Sequence, residues 1–154
     1  ARALGDRAET VTTASALLKQ TKLTPEVRNE ALYFRAKALL AEGQKQEALA
    51  DLMALAKDTR NVYGAEAKYL VAQTYFDEGE TAKAEKEVLD YIEVSTPHAY
   101  WLARSFVLLS DVYVKLGRKM EAKQYLLSLQ QNYQANDDIA GMIESRLAKL
   151  KSVK

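Results

Sequence analysis

The sequence predicts an all-α chain of stacked helix hairpins, and three observations carry that prediction. A stretch with Leu or Tyr, three residues, Gly, four residues and Ala is written three times: Leu39-x3-Gly43-x4-Ala48, Tyr75-x3-Gly79-x4-Ala84 and Tyr113-x3-Gly117-x4-Ala122. Successive glycines stand 36 and 38 residues apart, a length typical of repeated supersecondary units. Apolar residues on both sides of each glycine recur every three or four positions, the period of a helix face. With only two Pro and six Gly among 154 residues, nothing interrupts helices outside the expected turns.

Taken in order, 2–22 reads as one helix, with Leu4, Val11 and Leu18 seven apart on a single face. It has no earlier partner in the sequence, so it reads as the second helix of an incomplete repeat. Thr24-Pro25-Glu26 then supplies a hydroxyl cap, a proline for the first turn and an acid near the positive helix end. Three hairpins are expected over 25–59, 64–94 and 97–133, with Asn61-Val-Tyr-Gly64 as a connection and Ser95-Thr96-Pro97 restarting a helix as Thr24-Pro25 does. Gly43, Gly79 and Gly117 each break a hairpin where a helix end favours a left-handed residue. Ala48, Ala84 and Ala122 sit one turn later, where paired helices approach most closely. A last helix over 138–151, striped by Ile139, Ile143, Leu147 and Leu150, covers the final hairpin as a cap. Arg146, Lys149, Lys151 and Lys154 crowd its end, where the helix dipole favours cations.

The order of small residue, Leu or Tyr, Gly and Ala resembles the tetratricopeptide repeat over about 25–133. That resemblance implies a right-handed α-α superhelix, a solenoid of three hairpins with an unpaired first helix and a capping last one. On its register the family's early Trp falls on Leu32, Lys68 and Phe106, its first small residue on Ala36, Ala72 and Ser110, and its closing Pro on Arg60, Thr96 and Gln134. Arg35 and Lys68 occupy nominally buried positions, where their stems are expected to pack while the charge reaches water. The longer spacing resembles the repeats of bacterial cell-envelope proteins, among them the barrel-assembly lipoprotein, the Tol-Pal coordinator and large Bacteroidota lipoproteins. Such a likeness would place the chain on the periplasmic side.

Composition narrows the chemistry. Lys and Arg number 22 against 21 Asp and Glu, which gives no electrostatic reason to expect nucleic acid. No apolar run approaches a membrane span, so direct insertion is not expected. With one His and no Cys, nucleophilic triads and most zinc sites lack their ligands. No phosphate-binding glycine motif occurs. Asp137-Asp138 lacks the alternation of a calcium loop, and Asp77, Glu78 and Glu80 read as solvated turn residues. His98 reads as a solvent-facing residue of a helix start. No catalytic residue, cofactor or metal is therefore expected.

Function is expected instead from surface. The resemblance implies that the first helices of successive hairpins line a concave groove. Its positions would be Tyr33, Lys37 and Leu40; Tyr69, Gln73 and Phe76; and Val107, Asp111 and Val114. Each triplet is spaced i, i+4, i+7 and so shares one helix face. Two apolar rows would flank a polar row, suited to an extended or helical apolar peptide. The family's clamp for a C-terminal carboxylate needs a cluster of Lys, Arg and Asn, for which only Lys37 and Arg104 are candidates. Trp101 is expected to pack on the preceding hairpin; Tyr100 is open between packing and interface. The leading reading is a scaffold that holds a partner peptide or protein. The alternative is a spacer or self-assembly module with no peptide ligand, including a homodimer through the first helix.

Overall fold

A computed structural model describes residues 2–152, with the side chains of 6–151. Eight helices and no strand occur among them: α1 (Arg2–Leu18), α2 (Pro25–Ala41), α3 (Lys45–Leu55), α4 (Val62–Asp77), α5 (Thr81–Glu93), α6 (Ala99–Lys115), α7 (Lys119–Asn132) and α8 (Ile139–Ser152). Consecutive helices pack as hairpins. Each hairpin's first helix also touches the first helix of the next, through α2–α4, α4–α6 and α6–α8. The result is an α-solenoid of helical hairpins. Leu4 and Lys154 lie outside the described side chains.

The three repeated glycines share one geometry, with φ of 80°, 80° and 78°. In each, the amide after the glycine donates to a carbonyl five residues back: Gln44 to Leu39, Glu80 to Tyr75 and Arg118 to Tyr113, all at 2.8 Å. The glycine amide donates to Leu40, Phe76 or Val114. This paired closure satisfies carbonyls that a helix end leaves open. Beyond it, Ala48, Ala84 and Ala122 have no exposed surface at all, so a larger side chain there would push the hairpin open.

Around these contacts lie three continuous cores. The first joins Leu32, Ala36, Leu39, Leu52 and Val71, with Val11 and Leu18 of α1 packed against it. The second is built on Tyr91, Leu108, Leu109 and Tyr113. In the third, Ile139 and Ile143 of α8 cover Val107, Leu126 and Leu129.

The charges at Arg35 and Lys68 do not reach water, contrary to the expectation. Arg35 makes a two-pronged pair with Asp51, Nε to Oδ2 at 2.7 Å and Nη2 to Oδ1 at 2.6 Å, and reaches Ser15 of α1 at 3.1 Å. Lys68 pairs with Glu87. Asp51 and Glu87 occupy the same position of successive second helices, 36 residues apart, and 38 further stands Tyr125. There Phe106 faces Tyr125 with ring centroids 6.1 Å apart. One inter-helix contact is thus made twice by an ion pair and once by two rings.

Connections differ from the expectation in three ways. α3 stops at Leu55, and Thr59 leaves it to bond the neighbouring connection: its hydroxyl donates to the Ser95 carbonyl at 2.8 Å while Thr96 donates to the Thr59 carbonyl at 2.7 Å. Pro97 does not open α6; the helix starts at Ala99, and His98 is half-buried with its ring 3.0 Å from the Arg60 carbonyl. Gly64 lies inside α4 because Asn61, not the glycine, ends the connection, accepting from the Tyr63 and Gly64 amides at 2.8 and 3.4 Å. Its need for glycine is steric. A Cβ at Gly64 would stand 1.9 Å from the Asp58 carbonyl oxygen and 2.6 Å from that of Leu55. By contrast, Thr24 caps α2 through the Val27 amide, with Pro25 in the first turn, as its sequence requires.

Candidate functional site

The nine residues expected to form a groove come from α2, α4 and α6, but they do not share one open surface. Tyr69 and Val107 are buried, 5% and 2% exposed, and Tyr33 is half-buried. The row Tyr33-Tyr69-Val107 is therefore a seam between successive first helices rather than an exposed stripe. Lys37 and Val114 are exposed, while Leu40, Gln73, Phe76 and Asp111 are half-buried.

Polar side chains along the seam bind helix to helix. Tyr33 donates its hydroxyl to Glu66 at 2.9 Å, and Lys37 Nζ reaches the other oxygen of Glu66 at 2.7 Å. Tyr33 also stacks on Tyr63, centroids 4.5 Å apart. Burial first, and then the adjacent Glu66 carboxylate, raise the Tyr33 phenol to about 12. At the next step the polarity reverses: Arg104 donates to the Tyr69 hydroxyl at 2.9 Å and to that of Tyr100 at 3.0 Å. Tyr69 passes its own proton to Gln73 at 2.9 Å, Gln73 donates to Asp77 at 2.8 Å, and Tyr100 donates to Asp138 at 2.9 Å. A third bridge joins Asp111 to Arg146 of α8 by two bonds, 2.8 and 3.0 Å. Trp101 packs on Tyr69 with centroids 5.7 Å apart, while Tyr100 is a bridge to α8.

Of the two positions considered for a carboxylate clamp, Lys37 and Arg104, both are committed to these bridges. Open space lies instead toward the turn end of the hairpins. A cleft of about 510 Å³ opens between α6, α7 and α8. Phe76, Val114, Leu126 and Leu150 give it apolar walls, and Lys115, Lys119 and Lys149 contribute cations. Phe76, Asp111 and Val114 are the groove positions that the fold brings together there. Sequence reasoning missed its α7 and α8 walls, because periodicity along one helix says nothing about how far the next one stands away.

A family model described as a tetratricopeptide repeat matches residues 103–135. This is a tetratricopeptide-repeat protein. The match spans the second half of α6, all of α7 and the turn at Gly117, and so includes Asp111, Val114, Lys115, Lys119 and Leu126 of the cleft. No curated protein and no solved structure matches the chain. Tetratricopeptide repeats are in general protein-interaction modules, on an all-helical fold that is typically non-catalytic. Among the described residues no group of three or more His, Cys, Asp or Glu is placed to hold a metal ion, and no helix is long and apolar enough to cross a membrane.

Proposed function

We propose that this tetratricopeptide-repeat protein is a non-catalytic scaffold that holds a peptide segment of a partner protein across α4, α6 and α8. The observation that carries the reading is the cleft of about 510 Å³ with walls from Phe76, Val114 and Leu150 and a basic margin of Lys115 and Lys119. Its walls suit one or two large apolar side chains, and its margin suits an acidic residue beside them. Tyr33, Lys37, Leu40, Tyr69, Gln73 and Val107 then act mainly by fixing how the first helices stack, so that the cleft is preformed.

The test is selection from a random peptide library, followed by titration of the selected peptides. Apolar peptides with one or two acids are expected to bind saturably, and Val114→Asp is expected to weaken them with helix content unchanged. A spacer with no peptide ligand would return no saturable binder. Binders insensitive to Val114→Asp and Lys119→Glu would place the site elsewhere.

A further inference from the structure

We propose that the groove between α1 and α2 is a second docking site, which takes an amphipathic helix of another polypeptide bearing a Tyr and, four residues on, a Lys. The groove holds about 600 Å³ and is lined by Leu17, Val27 and Phe34 with Asp6, Glu9 and Glu30 around them. No basic side chain lines it. Val27 and Phe34 are 40% and 47% exposed, unusual for large apolar residues on a folded helix.

The solenoid itself shows what such a groove receives. Val27, Glu30, Ala31 and Phe34 stand 36 residues before Tyr63, Glu66, Ala67 and Leu70, the same interval that separates Gly43 from Gly79. Those four positions of α4 carry the preceding first helix, α2. Tyr63 stacks on Tyr33, Glu66 accepts from Tyr33 and Lys37, Ala67 has no exposed surface, and Leu70 packs against the core that holds Leu32 and Leu39. The floor matches as well: Ala14 and Leu18 of α1 precede Ala48 and Leu52 of α3 by 34 residues. The α1–α2 pair therefore repeats the receiving surface of α3–α4, with Glu30 standing where Glu66 takes a phenol and an ammonium. A helix that fits would present Tyr and Lys as Tyr33 and Lys37 do, with apolar residues at the positions of Leu32, Ala36 and Leu39.

Charge decides against a second copy of this chain as the occupant. A two-fold contact would bring Glu9 and Glu30 onto their own images, and like charges across an interface are unfavourable. The outer face of α8, with Glu144, Ser145 and Lys151 exposed, has no apolar stripe to offer, its own being turned inward.

The probe is a labelled synthetic peptide of the α2 sequence, residues 24–42, titrated into the whole chain by fluorescence anisotropy. Saturable binding is expected, weakened about tenfold or more by Glu30→Lys as an opposed charge pair becomes a like one, and weakened also by Phe34→Asp. A peptide carrying Lys37→Glu should bind the parent poorly and recover on the Glu30→Lys chain. Val114→Asp, which tests the cleft of α6–α8, should leave this binding unchanged, so the two proposals fail separately. Absence of binding, or binding indifferent to both Glu30→Lys and Phe34→Asp with helix content preserved, would overturn the proposal. So would a dimer in sedimentation velocity that Phe34→Asp dissociates, because the occupant would then be a second copy.

Discussion

Replacing Gly64 by Ala inverts what helix propensity alone would give. Gly64 is inside α4 with ordinary helical geometry, and Ala in a helix interior is favoured over Gly by about 0.5–1 kcal/mol. Here the added methyl would meet two backbone carbonyl oxygens at 1.9 and 2.6 Å, when contacts of about 3.5–4 Å are comfortable between non-bonded atoms. Backbone cannot rotate away as a side-chain tip can, so the α3–α4 junction must move by over an ångström. The Tyr91 hydroxyl, which donates to the Ala65 carbonyl at 2.9 Å from a fully buried ring, would move with it. Overpacking of this kind costs about 1–3 kcal/mol, and the upper end applies. At about 2–4 °C per kcal/mol for a chain of this size, the midpoint should fall by roughly 6–12 °C. Gly79→Ala is the control with the opposite cause: nothing lies within 4 Å of its Cβ position, but its φ is +80°. Its cost should be about 1–2 kcal/mol from the left-handed backbone alone. Thermal unfolding followed by circular dichroism reads both. A Gly64→Ala chain that melts at or above the parent temperature would refute the close approach, and with it the described α3–α4 junction.

Further outcomes concern the buried charges, the last helix and alkaline pH. Arg35→Ala leaves the Asp51 carboxylate, 4% exposed, without its counter-ion. The expected loss is about 3 kcal/mol, at the low end for a broken buried pair because part of Arg35 is solvated. Arg35→Met combined with Asp51→Leu should recover most of it in denaturant unfolding, and failure of the double variant to recover would mean that the pair is not the cause. Ending the chain before Asp138 uncovers Leu126 and Leu129, which Ile139 and Ile143 now bury; association in sedimentation is expected, and an unchanged monomer would deny α8 its capping role. Burial, assisted at some sites by neighbouring carboxylates, raises the phenols of Tyr33, Tyr91, Tyr113 and Tyr133 to about 12. Because the fold favours their protonated form, the stability they contribute is whole below about pH 10 and is lost as pH rises through about 12. Melting temperatures should drop across that window and less so in Tyr91→Phe; a flat profile would contradict the raised values.

What the sequence disclosed was whatever recurs. Gly43, Gly79 and Gly117, with Ala48, Ala84 and Ala122 after them, stand out because the same turn and close approach are needed three times. Gly64 was misread as a turn residue since its constraint is met once: Arg28 and Leu102 occupy the corresponding positions of α2 and α6. The ion pairs were half legible. Asp51 and Glu87 recur at the repeat interval opposite the two cations that seemed out of place, and only the idea that such cations must reach water hid the match. The groove was least legible. Tyr33, Tyr69 and Val107 do share a helix face, but whether that face is open depends on the distance between successive first helices, and no spacing within a helix records it.

The bridges along the seam also impose an order on the hairpins. Tyr33 and Tyr69 occupy the same repeat position, as do Glu66 and Arg104, yet the first phenol gives a proton to a carboxylate and the second receives one from a guanidinium. The joints are keyed like plugs of alternate gender. Deleting the middle hairpin would bring Arg104 against Lys37, cation to cation, and duplicating it would set Glu66 beside Tyr69 with no ammonium to share it. Hairpins that look interchangeable by their glycines and alanines are thus not interchangeable by charge. Recombination among them, whether by gene duplication or by domain swapping, is penalised at the joints rather than within the units.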